Sequence, residues 1–103
     1  MLTEERQKSF VLRRGRITSN QKNALDTLWD RYVLKEGEYV DSFLSDKHSV
    51  LDIGFGAGET TTYLAKNMPN SSILGAEVYL SGIGSTLSRS NEEKLTNIKI
   101  LNS

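Results

Sequence analysis

Residues 50–58, Val50-Leu51-Asp52-Ile53-Gly54-Phe55-Gly56-Ala57-Gly58, decide the fold of this chain. The apolar run at 50–53 is rich in β-branched side chains, which predicts a strand buried on both faces of a parallel sheet. Glycines then occupy alternate positions up to residue 58. The segment 59–68 follows with apolar side chains at helical spacing, and Pro69 closes it. The stretch therefore predicts a strand, a glycine turn and a helix.

A second apolar segment predicts the neighbouring strand of the sheet. It runs from Ile73 to Val78 and places Glu77 near its carboxyl end. Because crossovers between parallel strands are right-handed, the carboxyl ends of both strands open onto one crevice. An acidic residue roughly 20 positions beyond a glycine turn is the arrangement that accepts hydrogen bonds from ribose hydroxyls. The pattern predicts a pocket for an adenosine-type ligand, bounded by Gly54, Gly56, Gly58 and Glu77.

The residue at position 59 separates two classes of cofactor. A dinucleotide fingerprint would place its third glycine there, whereas this chain has Glu59. That carboxylate would compete with a pyrophosphate for the N–H groups of the helix N-terminus. S-adenosylmethionine carries a sulfonium, an ammonium and no phosphate, so Asp52 and Glu59 suit it. The local pattern favours S-adenosylmethionine, and a close-packed turn without a ligand is the alternative that it leaves open.

The composition is that of one small globular domain. The 103 residues carry thirteen basic and thirteen acidic side chains, no cysteine and one histidine. Disulfides and thiolate metal sites are excluded, and a single histidine gives no basis for a zinc cluster. No apolar run approaches the roughly 18 residues that span a bilayer, and the first eight residues lack the apolar core of a signal peptide. A cytoplasmic location is therefore the expectation.

Positive charge is concentrated in the first third of the chain. Residues 1–35 carry eight basic and four acidic side chains, and residues 36–103 carry five and nine. Arg13, Arg14 and Arg16 form a basic arm, which predicts contact with the phosphates of a nucleic acid. A solvated run of charge is the alternative.

Helical patterns occupy the segments around this α/β core. Apolar residues from Leu25 to Val33 predict an amphipathic helix capped by Thr18 or Ser19, with Trp29 as a packing residue. Segment 39–44 predicts a further short helix. Segment 81–94 is weakly helical because it contains glycines. Residues 98–101 alternate as a third strand.

Three segments together resemble the bacterial tRNA (guanine-N7-)-methyltransferases, which use S-adenosylmethionine to methylate one guanine in tRNA. The segments are S-F-V-L-R-R-G-R at 9–16 with Thr18 and Gln21 after it, L-D-I-G-F-G-A-G-E at 51–59, and L-G-A-E-V at 74–78. The resemblance implies S-adenosylmethionine as cofactor and tRNA as partner. It places the two cofactor acids of the family on Asp52 and Glu77. Beyond these, Tyr79 and Ser81-Gly82 stand where the family often has His and a Pro-Gly pair.

The resemblance implies the α/β, N-terminal half of a class I S-adenosylmethionine-dependent methyltransferase (Rossmann-like) fold, preceded by a basic arm and helices. The corresponding segments are the arm at 1–18, a helical lead-in at 19–48 and an incomplete methyltransferase domain with strands 1 to 3 at 49–103. In the class I strand order, 3-2-1-4-5-7-6, strand one is central. The family's later acid and its P-D-P-W-type motif have no counterpart before Ser103. No catalytic residue is therefore assigned.

The expected function follows from that incomplete pattern. Losing the residues that hold the guanine removes the alignment on which methyl transfer depends, so a truncated form that is inactive alone is expected. One alternative is a retained module that binds tRNA, or pairs with a complementary C-terminal polypeptide, without catalysis. The other is an unrelated small nucleotide-binding α/β protein.

Overall fold

The computed structural model describes residues 17–35 and 48–103 of the chain. Three helices and three strands alternate along these residues, beginning with a helix. They are α1 (Ser19–Tyr32), β1 (His48–Ile53), α2 (Glu59–Asn67), β2 (Ser71–Ala76), α3 (Leu80–Glu92) and β3 (Ile98–Leu101). The predicted strand, glycine turn, helix and second strand are confirmed. The arginine arm and the short helix predicted at 39–44 lie outside the described residues.

The three strands form one parallel sheet in the order β1-β2-β3. Val50 pairs with Ile73, which in turn pairs with Ile98 on the other side. The far edge of β3 carries the chain that leaves α1, because Val33 forms a parallel bridge to Ile100 and the Leu34 amide donates to the Ile100 carbonyl at 2.9 Å. Residues that follow the first helix therefore extend the sheet beyond its third strand.

The core lies between β2, β3 and the helices α1 and α3. Ile73, Ile83, Leu87 and Ile100 have no exposed surface. Trp29 packs against this cluster from α1, as the apolar stripe predicted. Glycines did not weaken α3, which runs for 13 residues from Leu80 to Glu92. Burial of its apolar face outweighs the low helix propensity of glycine.

The burial of β1 and of α2 differs from what their apolar patterns suggest. Leu51 and Ile53 of β1 are 56% and 75% exposed, whereas the apolar run taken alone predicts a strand buried on both faces. The structure places β1 at the edge of the described sheet, with β2 as its only strand neighbour there. In α2 the buried positions are Thr61, Thr62 and Ala65, while the apolar Tyr63 is 65% exposed.

The first two helices begin in different ways. Thr18 and Gln21 form a capping box at α1: the Gln21 amide donates to Thr18 Oγ1 at 3.1 Å, and the Thr18 amide donates to Gln21 Oε1 at 2.9 Å. Helix α2 begins instead at Gly58 in the left-handed region.

In the described part of the chain, no helix combines the length and the apolar character that crossing a bilayer would need.

Candidate cofactor site

The turn after β1 is built from three left-handed glycines. The φ angles of Gly54, Gly56 and Gly58 are 66°, 62° and 80°. A side chain in this region costs about 1–2 kcal/mol per residue, which explains why glycine recurs at alternate positions. The Gly54 amide donates to the Ala76 carbonyl at 2.8 Å. The β1–β2 ladder therefore continues into the turn and fixes it against the end of β2.

The three glycines differ in what surrounds them. A Cβ atom on Gly54 or Gly56 would have no other atom within 4 Å, so the turn presents open space at both positions. A Cβ atom on Gly58 would collide with Thr86 of α3. Gly54 and Gly56 are therefore accessible to a ligand, whereas Gly58 allows α3 to pack against the start of α2.

Glu77 joins the turn to the next helix. Its side chain is buried, with 5% of the residue exposed. Oε1 accepts the Gly56 N–H at 2.8 Å, and Oε2 accepts the N–H groups of Val78 at 2.9 Å and Tyr79 at 3.2 Å. A carboxylate has about four acceptor positions, so roughly one is left for a ligand in this arrangement. The structure thus brings Glu77 and Gly56 together, at the carboxyl ends of two neighbouring strands.

Asp52 lies elsewhere. It is half-buried on β1, and its Oδ2 accepts a hydrogen bond from Thr61 Oγ1 at 2.7 Å. Thr61 is fully buried on α2. The contact ties the strand to the helix that follows the turn. Asp52 does not line the cavity in which Glu77 is found.

A cavity of about 150 Å³ lies beside Glu77. Its walls come from the turn, from the start of α3 and from α1. The lining residues include Gly56, Ala57, Glu77, Ser81, Ser85 and Gln21. Sites for whole small molecules usually measure about 300–1,000 Å³, and a cavity of about 150 Å³ holds a single ring such as benzene. A cavity of this size therefore fits one ring of a larger ligand, whose remainder would lie over the open turn.

The sequence pattern does not indicate two of the residues that line the cavity, Gln21 and Ser85. Gln21 belongs to the family pattern, and Ser85 belongs to no motif. The signal for Gln21 was the Thr-x-x-Gln spacing of a capping box, which marks a helix start and says nothing of a cavity. Gly82 is a further residue of this kind, because a Cβ atom there would collide with the Gly56 carbonyl. Its glycine lets α3 approach the turn closely enough to close the cavity.

The strand, the glycine turn and the buried acid lie within a segment that matches a methyltransferase family, and the chain belongs to this family. The model of the family described as "Putative methyltransferase" matches residues 46–103. The predicted class I methyltransferase fold, with strands in the order 3-2-1, is thereby confirmed for this part of the chain.

Curated relatives carry a more specific name. A tRNA (guanine-N(7)-)-methyltransferase of Methylococcus capsulatus is 42% identical over 96 residues, which are 90% of this chain and 42% of that protein. One from Hydrogenovibrio crunogenus is 37% identical over 103 residues, covering 96% of this chain and 43% of that protein. The chain thus spans less than half the length of these relatives. The solved structure of an rRNA methylase from Streptococcus thermophilus has a TM-score of 0.49 and 20% identity, covering 86% of this chain and 42% of that one.

Proposed function

We propose that the turn at residues 54–58 and Glu77 bind S-adenosylmethionine. The observation that carries the proposal is the hydrogen bond between the buried Glu77 carboxylate and the Gly56 amide, beside a ring-sized cavity. This contact sets an acidic acceptor against a turn whose Gly54 and Gly56 face open space. A sugar ring in the cavity would offer a hydroxyl to the remaining acceptor position of Glu77.

The charge around the turn supports a cofactor without phosphate. Glu59 is exposed in the first turn of α2, where a pyrophosphate would otherwise meet the helix N-terminus. An exposed carboxylate there repels a dinucleotide and attracts a cationic group. S-adenosylmethionine, when bound, supplies a methyl group on a positively charged sulfur. Gly54, Gly56 and Glu77 are the residues that we propose for direct contact with the ligand. Gly58 would serve the site by shaping the turn against α3, and Asp52 would act on the ligand through its charge.

The proposed substrate is a guanine of tRNA, after the names of the curated relatives. In such a reaction the bound cofactor would supply the methyl group that the guanine N7 receives. The described residues would contribute cofactor binding to this reaction. Because the chain belongs to a methyltransferase family, the alternative of an unrelated nucleotide-binding protein is excluded. A cytoplasmic location, where tRNA is modified, belongs to the same proposal.

Calorimetric titration of the purified chain tests the cofactor. S-adenosylmethionine and S-adenosylhomocysteine should bind, and NAD should not, because Glu59 disfavours a pyrophosphate. All three ligands contain adenosine, so NAD serves as a matched control for the nucleoside. Binding of NAD with no response to the two methionine compounds would contradict the proposal.

The basic arm is proposed to bind tRNA through Arg13, Arg14 and Arg16. Changing all three to Ala should weaken tRNA binding and reduce its salt dependence, because each phosphate contact releases counterions. A matched variant with Lys22, Lys66 and Lys94 changed to Ala removes the same charge from exposed positions elsewhere. Equal losses in the two triple variants would show that only net charge matters and would remove the arm from the proposal.

We also propose that this chain does not methylate tRNA alone, because the described residues offer a cofactor site and no identified site for the guanine. A methyl-incorporation assay tests this directly. The chain is assayed by itself and together with the portion of the Methylococcus capsulatus relative that lies beyond the aligned region, as the complementary C-terminal polypeptide. Incorporation by the chain alone would contradict the proposal, whereas incorporation only in the mixture would support the pairing of two polypeptides.

A further inference from the structure

The cavity beside Glu77 has a second polar wall that the proposed function leaves unassigned. Gln21 Nε2 of α1 donates to Ser85 Oγ of α3 at 2.9 Å, and both residues line the cavity. The carboxamide is also held at its other end, since Gln21 Oε1 accepts the Thr18 N–H at 2.9 Å. With both ends of the amide engaged, α1 supplies a fixed part of the cavity wall.

Glycine in α3 sets the position of this wall. A Cβ atom on Gly84 would lie 2.9 Å from the Gln21 carbonyl oxygen and 3.0 Å from Gln21 Cβ. A side chain at this position would therefore push α1 away from the cavity. Gly82, two residues earlier, allows the Gly56 carbonyl to approach in the same way. The two glycines bring the turn and α1 to opposite sides of the start of α3.

The Gln21–Ser85 pair retains hydrogen-bond donors. Within residues 17–35 and 48–103, Ser85 Oγ accepts from Gln21 while its own hydrogen has no acceptor, and Gln21 Nε2 carries a second hydrogen. Ser88 makes a useful contrast one turn further along α3. It accepts from Asn20 Nδ2 at 3.2 Å but passes its hydrogen to Glu92 Oε1 at 3.3 Å, and it does not line this cavity. Accepting a bond from Gln21 also makes the Ser85 hydroxyl a stronger donor.

The two walls are complementary to a sugar hydroxyl, which both donates and accepts. Glu77 offers only acceptor atoms, and the Gln21–Ser85 pair offers the donors. We propose that Gln21 and Ser85 donate hydrogen bonds to the sugar hydroxyl oxygens of the cofactor while the remaining acceptor position of Glu77 takes the hydrogen of one of these hydroxyl groups. The assignment rests on the proposed S-adenosylmethionine site and adds α1 to it as a binding element.

Two serine variants of the full chain test the assignment with S-adenosylhomocysteine as the probe. Ser85→Ala should raise the dissociation constant by about 3- to 10-fold, the loss expected for one hydrogen bond. Ser88→Ala removes an equivalent contact between α1 and α3 and should change the constant less than about 2-fold. Thermal melting of both variants without ligand reports the purely structural loss. Gln21→Ala and Asn20→Ala repeat the comparison from the other helix.

Nucleoside probes identify the part of the ligand that the pair contacts. Ser85→Ala should weaken adenosine by the same factor as S-adenosylhomocysteine and leave 2′,3′-dideoxyadenosine unaffected, because the latter lacks both hydroxyls. If the unaltered chain binds S-adenosylhomocysteine and Ser85→Ala binds it equally well, the assignment is overturned and the proposed function stands. An equal loss for dideoxyadenosine would also overturn it. If the unaltered chain binds neither S-adenosylhomocysteine nor adenosine, both the proposed function and the assignment of Gln21 and Ser85 fail.

Discussion

The two edges of the parallel sheet are packed very differently. On the β3 side, Ile98 and Ile100 are buried and the chain leaving α1 adds a bridge at Val33. On the β1 side, Leu51 and Ile53 are largely exposed. The candidate cofactor turn extends from this less packed edge, where polar contacts from Asp52 and Glu77 hold it. The β3 side is therefore the closely packed side of the sheet, whereas the glycine turn of the candidate site follows the less packed strand.

The largest expected effect is on the free energy of unfolding, in a comparison of a core leucine with a leucine of β1. Leu87 has no exposed surface and Leu51 is 56% exposed. Leu87→Ala should lower the free energy of unfolding by about 2–5 kcal/mol, because it leaves a cavity in the core. Leu51→Ala should change it by less than about 0.5 kcal/mol. Urea denaturation followed by circular dichroism measures both, and equal losses would show that Leu51 on β1 is packed as closely as the core.

The next effect separates two glycines of the same turn. Gly54→Ala and Gly58→Ala each place a side chain in the left-handed region, at a cost of about 1–2 kcal/mol. Gly58→Ala also forces a methyl group against Thr86, and overpacking of this kind adds about 1–3 kcal/mol. Unfolding experiments should therefore find Gly58→Ala the more destabilised. The reverse order would mean that α3 does not pack against the start of α2 as described.

Asn97 provides the third comparison, because it links α2 to the sheet. Its Nδ2 atom donates to the carbonyls of Ala65 and Met68 at 3.0 Å and of Ser71 at 2.9 Å, although it has only two hydrogens to share. Asn97→Ala removes this donor from the buried Ala65 and Ser71 carbonyls, whereas the Met68 carbonyl keeps the Ser71 N–H at 2.9 Å. The variant should cost about 1–3 kcal/mol.

Asn67→Ala is the matched control for this change. Asn67 is exposed at the end of α2 and donates only to the Tyr63 carbonyl, at 2.8 Å. The variant should lose no more than about 0.5 kcal/mol in the same denaturation assay. A loss as large as that of Asn97→Ala would argue against a special role for the buried amide.

Local patterns were sufficient for the elements and for part of the site. Alternating glycines after an apolar run predicted the turn, and the spacing to Glu77 predicted its place at the end of β2. Burial could not be derived this way, since the exposure of Leu51 and Ile53 depends on what packs beside β1 in space. Gln21 and Ser85 are 64 residues apart. No short segment of the sequence shows that α1 reaches the cavity. Gly82 and Gly84 allow the close packing around α3, but in the sequence they indicate only a weak helix.

The smallest expected change in stability distinguishes two roles for Asp52 on the less packed edge. Asp52→Asn keeps an oxygen that can accept the Thr61 hydroxyl, so the free energy of unfolding should fall by no more than about 1 kcal/mol. If the charge of Asp52 attracts the positively charged cofactor, affinity for S-adenosylmethionine should fall while stability is retained. Asp26→Asn removes one charge from an exposed pair with Lys22 and serves as the control. Unchanged affinity in Asp52→Asn would assign Asp52 to the contact between β1 and α2 alone, leaving Glu77 as the acid that serves the ligand.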